Sequence, residues 1–372
     1  MKLGDIVYST PRISPDGPAY GYAVRYNDDT YREFIDETIK PKIPIVIIGA
    51  NDGMVHAFKL SKIRDIIPPT ADGGGKQVAM FSDTLTGTTV PQDLGKELWA
   101  YIPYNVLPYL RWFCDTSYCH IPMLDARFTI LDASINGNAD STRSKTSWKR
   151  LLIGTMGVGG KSITIGSRSW SSSIFVIDIT DPQDPKFMWE KPLPDRTLTT
   201  SNPGIVRLGD ADKNGSWYIV IGSGPSSVLT DGITYKTGNA KIYIFNLRNG
   251  NVTEIDTGLS GYAIGDILST DLDSDYQVDD LYFGTYGLSG GSLTGNLYRL
   301  RIKNGSSYQS VVEWDIESVV NVGRPIFASP EVAQDAKGNI WIYFGTGLYL
   351  TMKEALPTTT EEYLYGVIEK ET

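Results

Sequence analysis

The sequence is poor in the residues that most metal-centred and nucleophilic chemistry requires, because its 372 residues include only two cysteines and two histidines. A structural zinc site usually needs four ligands, so this composition argues against one. It also leaves too few bases for a Ser-His-Asp type of catalytic set, and we interpret His56 as a packing residue within a strand. We therefore expect a protein that is not an enzyme.

Positive charge and long apolar runs are also scarce. The chain has 34 Lys and Arg against 43 Asp and Glu, which gives a formal net charge of −9. An acidic surface argues against a nucleic-acid partner, which would need clustered positive charge. No apolar run has the length of a membrane span, and residues 1–4 do not begin a signal peptide. We expect no membrane span, and a domain from a longer protein whose export signal lies upstream.

The two cysteines, Cys114 and Cys119, lie five positions apart in a chain that has no other cysteine. Such a close pair predicts a local disulfide and hence an oxidising compartment. The alternative is a pair of unrelated reduced thiols.

The chain is rich in glycine (38) and tyrosine (22), and a short apolar run that ends in glycine recurs along it. The last four of these glycines are separated by 68, 62 and 61 residues, and the first gap, of 105 residues, has room for another unit. A second candidate strand follows each run, and three runs are preceded by a strand that ends in an acidic turn. This repetition predicts a β-propeller, in which closure of the ring removes exposed sheet edges. The five runs are Ile45–Ala50, Leu151–Thr155, Tyr218–Ser223, Leu281–Thr285 and Trp341–Thr346.

Two short helical segments interrupt the strands. Apolar residues at positions 31, 34, 35 and 39 share one helical face, and residues 105–112 form a shorter candidate. Both fit insertions that cap a propeller. No linker divides the chain, so we expect one all-β propeller domain over residues 1–372.

The candidate site for cation binding is the acidic loop at 271–279. Carboxylates occupy its positions 1, 3, 5 and 9. Ca²⁺ is bound by six to eight oxygen ligands, and this spacing can bring several of them to one point. The backbone carbonyl at position 7 would add a ligand, and the last carboxylate takes the bidentate role. Position 6 is Tyr276 and not glycine, which departs from an EF-hand loop. The predicted Ca²⁺ ligands are Asp271, Asp273, Asp275, Gln277 and Asp279.

The alternative interpretation of this loop is a solvated acidic turn. Two equivalent turns of the same chain serve as internal controls. The turn at 210–215 contains Lys213 and has Tyr218 at position 9, and the turn at 335–339 has Lys337 at position 3. Because only the loop at 271–279 has the complete set of oxygen ligands, we predict a single Ca²⁺ site there.

Several sequence blocks resemble the PilY/PilC family of type IV pilus tip-associated adhesin and biogenesis proteins. The blocks Gly4–Pro11 and Ile48–Phe58 resemble the family signature, and Gly95–Pro103 resembles its second block. Ile174–Thr180 is similar to the blade ends of the family, and the acidic loop is similar to its Ca²⁺ site.

This resemblance implies a modified propeller of about seven blades, at the C-terminus of a longer protein whose N-terminal part is absent here. It implies export through the periplasm to the pilus tip, with minor pilins of the tip complex as partners and a host or abiotic surface as a further one. In the family, Ca²⁺ occupancy is tied to pilus extension against retraction, and hence to twitching motility and surface attachment.

Two other functions remain open. The block from Ala50 to Phe58 also resembles a repeat of quinoprotein dehydrogenases, which use pyrroloquinoline quinone and bind Ca²⁺. However, the Gly-Lys-x-x-Trp element occurs once, at 95–99, and the adjacent-cysteine pair of many such enzymes is missing. The third class is a glycan- or matrix-binding propeller whose Tyr and Trp side chains line a sugar site, although such residues more often pack between blades.

Overall fold

The computed structural model describes residues 3–67, 78–83, 91–228, 235–290, 292–350 and 361–369. Five sheets of three to five antiparallel strands follow one another along the chain, and in each the strand order follows the chain order. Sheet 1 contains Arg12–Ser14, Ile45–Gly49, Val55–Lys59 and Glu97–Tyr101; sheet 2 contains Thr129–Ala133, Lys149–Thr155, Ser173–Asp178 and Lys186–Pro192; sheet 3 contains Gly204–Leu208, Ser216–Gly222, Asn239–Asn246 and Val252–Ser260. Sheet 4 contains Tyr262–Thr270, Asp280–Ser289, Ser292–Thr294, Leu297–Arg301 and Asp315–Val320; sheet 5 contains Glu331–Gln334, Ile340–Gly345 and Leu364–Ile368.

This succession of meander sheets confirms the all-β propeller, and the five glycine-ended runs all form strands as predicted. Within the described residues there are five such sheets, against the expected count of about seven. The described residues of the long first gap include a helical segment and a hairpin, and they form no additional sheet of three or more strands. The two-stranded hairpins are Lys62–Ile67 with Val78–Ser82, Ile163–Ile165 with Arg168–Trp170, Ser227–Val228 with Tyr235–Lys236, and Lys303–Asn304 with Ser307–Tyr308.

The core lies between successive sheets. Four clusters of buried apolar side chains join sheets 1 and 2, 2 and 3, 3 and 4, and 4 and 5 in turn. The repeated glycine permits this approach: a Cβ on Gly222 would lie 2.3 Å from the Ile264 side chain, and one on Gly284 would lie 2.3 Å from Ile326. The glycine that ends these runs therefore leaves room for a side chain at the start of the next blade.

Both predicted helical segments are present. The first comprises helices α1 (Tyr22–Arg25) and α2 (Asp29–Phe34), followed by a π-helical turn at Ile35–Ile39. Its apolar face at positions 31, 34, 35 and 39 is buried in the core between sheets 2 and 3. The second comprises α3 (Leu107–Leu110), flanked by 3-10 turns at Tyr104–Val106 and Arg111–Cys114, and further 3-10 turns lie at Lys145–Ser147 and Val311–Glu313.

The predicted disulfide is wrong in this structure, in which Cys114 and Cys119 are both exposed free thiols. Cys114 ends a 3-10 turn, and the following residues form a turn of their own. In that turn, the Ser117 amide and hydroxyl both donate to the Asp115 carboxylate. None of the helices in the described segments has the length and apolar character needed to cross a membrane.

Candidate metal centre

The acidic loop joins the first two strands of sheet 4, Tyr262–Thr270 and Asp280–Ser289. Thr270 and Asp280 are paired across the hairpin, so the two ends of the loop are fixed by the sheet. Inside the loop, Ser274 and Tyr276 have positive φ angles of 61° and 79°. Because residues with a side chain rarely adopt this conformation, the loop is folded tightly at a local cost.

Three of the predicted ligands converge. One carboxylate oxygen from each of Asp271, Asp273 and Asp275 lies within 4.8 Å of the other two. Oxygens that each lie about 2.3–2.6 Å from a shared Ca²⁺ can be at most about 5 Å apart, so this spacing suits the ion. In the described part of the chain, this is the one group of three or more His, Cys, Asp or Glu that meets such a criterion.

Asp271 is the buried member of the group. Its side chain is 6% exposed, and no described residue forms a hydrogen bond with its Oδ1 atom. Its Oδ2 atom accepts from the Tyr26 hydroxyl at 2.6 Å and from the Tyr276 amide at 3.2 Å. Burial raises the pKa of this carboxyl. A buried carboxylate oxygen without a donor is costly, and a cation would satisfy it, so the residues present fit Ca²⁺.

Asp279 and Gln277 are bonded differently. Asp279 Oδ2 accepts from the Leu272 amide at 2.7 Å, and Asp279 lies outside the three-carboxylate group. The Gln277 amide donates to Asp275 at 2.8 Å, while its side-chain Oε1 accepts from the Gly209 amide at 2.7 Å. The bidentate role of Asp279 and the carbonyl ligand at Gln277 therefore stay predictions.

Two side chains of a neighbouring hairpin, Lys303–Asn304 with Ser307–Tyr308, contact the carboxylates of the loop. Lys303 Nζ contacts an oxygen of Asp273 and lies 3.0 Å from Asp279 Oδ1. The Tyr308 hydroxyl donates to Asp275 at 2.8 Å and to Asp279 at 3.0 Å. Although burial opposes the charge of Lys303, its hydrogen bonds to the two carboxylates raise the pKa of the ammonium. The bond to Lys303 also lowers the pKa of Asp273.

Tyr276 anchors the loop in the interior. The guanidinium groups of Arg143 and Arg207 both contact its ring, each 4.5 Å from the ring centroid. Its hydroxyl donates to Asp28 at 3.0 Å, and Asp28 also pairs with Arg143 at 2.8 Å. The side chain is therefore held by cation–π contacts and a buried hydrogen bond, which oppose any movement of the loop.

Helix α1 reaches the loop from the other end of the chain. The Tyr26 ring stacks on Tyr276 with centroids 3.9 Å apart. Arg25 donates to the Asp271 carbonyl and to the Ser274 hydroxyl. Beside these contacts lies a cavity of about 360 Å³, which the loop, α1 and the first strands of sheets 2, 3 and 4 line together. The acidic loop is thus part of an interface between α1 and the sheets.

The sequence did not predict the residues from distant parts of the chain that contact the loop. Arg25, Tyr26, Lys303 and Tyr308 belong to segments without a motif, and their proximity to the loop depends on how the sheets assemble. The one available signal was Tyr276, which stands where an EF-hand loop has glycine.

The comparisons with known proteins agree on one family. A family model described as the PilY1 beta-propeller domain matches residues 3–372. A type IV pilus biogenesis factor PilY1 homolog of Xylella fastidiosa is 25% identical over 382 residues, which cover 100% of this chain and 25% of the relative. The type IV pilus biogenesis factor PilY1 of Pseudomonas aeruginosa strain UCBPP-PA14 is 25% identical over 409 residues, covering 100% of this chain and 29% of the relative.

A solved structure has the same fold. The crystal structure of the Pseudomonas aeruginosa PilY1 C-terminal domain matches with a TM-score of 0.63 and 22% identity, over 97% of this chain and 64% of that one. The chain spans between a quarter and three tenths of the length of these two curated relatives.

Proposed function

This chain belongs to the PilY1 β-propeller family, and from that premise we propose that it is a non-enzymatic, Ca²⁺-binding propeller of a type IV pilus biogenesis factor. Asp271, Asp273, Asp275 and Asp279 would hold the ion with carboxylate oxygens, and Gln277 with its backbone carbonyl. Bound Ca²⁺ supplies positive charge that neutralises these carboxylates.

The observation that supports this proposal most directly is the geometry of the three converging carboxylates. Their oxygens lie within 4.8 Å of one another, and Asp271 Oδ1 is buried with no hydrogen-bond partner among the described residues. Carboxylates at this separation repel one another at neutral pH, and the repulsion is stronger where solvent is excluded. A divalent cation removes that repulsion.

The surrounding contacts indicate how Ca²⁺ binding in the loop would affect neighbouring parts of the fold. Asp271 is bonded to Tyr26, which directly follows α1, and Tyr276 connects the loop to Asp28 at the start of α2. A change in the position of Asp271 therefore changes the contacts of both helices and the shape of the adjoining cavity. We propose that this coupling alters the surface offered to minor pilins of the tip complex.

The family membership supports the cellular part of the proposal. The relatives are named as type IV pilus biogenesis factors. We propose that this chain acts outside the cell at the pilus tip, that ion occupancy biases pilus extension against retraction, and that twitching motility and attachment to host or abiotic surfaces depend on it.

Calorimetric titration of the metal-stripped protein with Ca²⁺ tests the ion site. We expect one saturable site in the wild type, its loss in Asp279→Ala and in Asp271→Asn, and no change in Asp335→Asn. Asp335 is the matched control because it begins an acidic turn in sheet 5 whose own amides bond its carboxylate. Absence of heat in the wild type would contradict the ion site.

The pilus role is tested separately, in the full-length parent protein in its own host. If Asp279→Ala abolishes Ca²⁺ binding while surface pili and twitching zones are unchanged, ion occupancy has no part in pilus function. The non-enzymatic assignment is tested by the absorption spectrum of the purified protein, where a bound quinone would contradict it.

A further inference from the structure

We propose that Lys303 is an exchangeable counter-ion of the loop, whose ammonium neutralises the carboxylates without metal and must withdraw when Ca²⁺ binds. This inference rests on the proposed Ca²⁺ site and names the residue that regulates it. The ammonium contacts Asp273 and lies 3.0 Å from Asp279, which are the second and the last of the four predicted carboxylate ligands.

The position of Lys303 is defined by more than one contact. Its side chain is 20% exposed, and its Nζ atom lies 4.9 Å from the centroid of the Tyr308 ring. The hydroxyl of the same tyrosine donates to Asp275 and Asp279. Lysine and tyrosine together therefore supply donors to three of the four predicted carboxylate ligands.

Occupation by Lys303 and occupation by Ca²⁺ exclude each other. The oxygen that faces the ammonium, Asp279 Oδ1, also accepts from the Tyr308 hydroxyl, while Oδ2 is held by the Leu272 amide. An ion that binds Oδ1 therefore takes the place of the ammonium on this oxygen. Two cations that share one carboxylate oxygen lie only a few ångströms apart and repel strongly. Calcium also requires six to eight oxygens, and an ammonium contributes none.

The Lys303 ammonium can also withdraw from the carboxylates. It lies in a two-stranded hairpin, Lys303–Asn304 with Ser307–Tyr308, that is separate from the strands of sheet 4. Its four-carbon stem can carry the ammonium into solvent without movement of the backbone. Arg25 differs, because its guanidinium bonds the Asp271 backbone carbonyl and stays 3.8 Å from Oδ1. It can remain in place beside a bound ion.

The consequence is a lower affinity and a loop that stays folded in both states. Each binding event must first break the pair between Lys303 and the carboxylates, so the lysine weakens Ca²⁺ binding by the free energy of that pair. Without metal, the same pair limits the repulsion among the carboxylates.

The test compares wild type, Lys303→Met and Lys213→Met by calorimetric Ca²⁺ titration and by thermal unfolding in excess chelator. Lys213→Met is the matched control, because it makes the same charge change in an acidic turn where, among the described residues, the ammonium of Lys213 pairs with the exposed Asp212 at 3.2 Å and with no other carboxylate. We expect Lys303→Met to lower the Kd for Ca²⁺ by about two- to fivefold, the range for a partly exposed ion pair. We also expect it to lower the metal-free unfolding temperature, and the control to change neither.

Each result separates the two proposals. If Lys303→Met and wild type bind with equal Kd, the counter-ion is overturned and the Ca²⁺ site stands. If only Lys303→Met binds Ca²⁺, the counter-ion stands and the ion site of the natural chain falls. If neither binds, the ion site is overturned and the exchange with it.

A second measurement uses the unmodified protein. Labelling of lysines with an amine-reactive reagent, read by mass spectrometry, should increase at Lys303 when Ca²⁺ is added and stay constant at Lys213. Equal labelling of Lys303 with and without Ca²⁺ would show that the ammonium does not withdraw, and would overturn the exchange.

Discussion

The loop at 271–279 and the turn at 335–339 have related acidic sequences and similar places in successive sheets, yet their carboxylates are stabilised in different ways. Asp335 accepts from the backbone amides of Lys337 and Asn339, and also from the Asn339 side chain and the Trp341 indole. With the Asn339 side-chain bond as the largest cause, these bonds lower the pKa of Asp335 to about 2. Both oxygens of the Asp335 carboxylate therefore have hydrogen-bond donors and need no cation.

The turn at 210–215 shows a third arrangement. Arg207 donates to the carbonyls of Gly209, Asp210 and Lys213, and Arg143 donates to those of Ala211 and Lys213. Two guanidinium groups thus hold the carbonyl oxygens of this turn.

The difference among the three turns lies in where their positive charge or donors originate. The turn at 335–339 uses its own amides and two nearby side chains, and the turn at 210–215 uses two buried arginines. The loop at 271–279 uses Arg25 and Lys303, and the Lys303 side chain is 20% exposed. Only this loop combines converging carboxylates with a cation that can leave, and this is why the Ca²⁺ proposal is confined to it.

The largest expected effect comes from removing the anchor that the other turns do not have. Tyr276→Ala removes a buried ring that contacts two guanidinium groups and leaves a cavity, and we expect it to lower the free energy of unfolding by about 3–5 kcal/mol, with or without Ca²⁺. Tyr343→Ala is the control, since Tyr343 is 43% exposed and should cost no more than about 0.5 kcal/mol. Urea unfolding measures both, and equal effects would show that the loop is not anchored in the core.

A smaller effect is expected from the hydroxyl that bridges two loop carboxylates. Tyr308→Phe removes the donor to Asp275 and Asp279, and we expect the metal-free free energy of unfolding to fall by about 1 kcal/mol. Tyr363→Phe removes a comparable bond, 2.6 Å from the hydroxyl to Glu361, at an exposed position. Thermal unfolding in chelator should separate the two variants, and a larger loss in Tyr363→Phe would contradict the importance of the site.

The pH dependence of the two turns should have opposite signs. Burial raises the folded pKa of Asp271 above 3.8, so its ionisation opposes metal-free folding as pH rises. Metal-free Asp271→Asn should therefore be more stable than wild type at neutral pH, and this advantage should vanish as pH falls below 3.8.

For Asp335 the folded pKa lies below 3.8, so the ionised carboxylate stabilises the fold above that value and the contribution is lost as pH falls toward about 2. Asp335→Asn should be slightly less stable than wild type at neutral pH. Unfolding temperatures in chelator across the acidic range check both variants, and shifts of the same sign would contradict the comparison.

The smallest effect is expected in the turn held by arginines. Asp212 has an exposed side chain, and within the described segments its carboxylate forms an ion pair with Lys213 and no other residue. We expect Asp212→Asn to leave both the Kd and the stoichiometry of one Ca²⁺ per chain unchanged. A reduced stoichiometry in this variant would place a second ion in the turn at 210–215.

The fold was largely predictable because its signals are local and repeated. The runs that end at Gly49, Gly154 and Gly222 were predicted as strands from apolar residues and a terminal glycine, and the structure has strands there. The helical face at positions 31–39 was equally readable from its periodicity. The number of sheets was not, because the length of the gap after Gly49 does not reveal whether it contains a blade or a helical insertion.

Only the part of the site that is local in sequence was predictable. The spacing of Asp271, Asp273 and Asp275 is local, and their convergence follows from it. Lys303 lies 30 residues from Asp273, and Arg25 lies 246 residues from Asp271. Contacts over such separations depend on how sheets pack, which no motif in one sequence encodes.

The aromatic contacts of Tyr276 give the loop an intrinsic optical reporter. The Tyr276 ring packs against Tyr22, which in turn lies against the indoles of Trp148 and Trp217, with centroids 5.6 and 6.2 Å from its own. Both indoles are shielded from water, being 2% and 4% exposed. We expect any shift of this ring on ion binding to change the surroundings of both indoles. The emission of the unlabelled protein can therefore report loop position in real time.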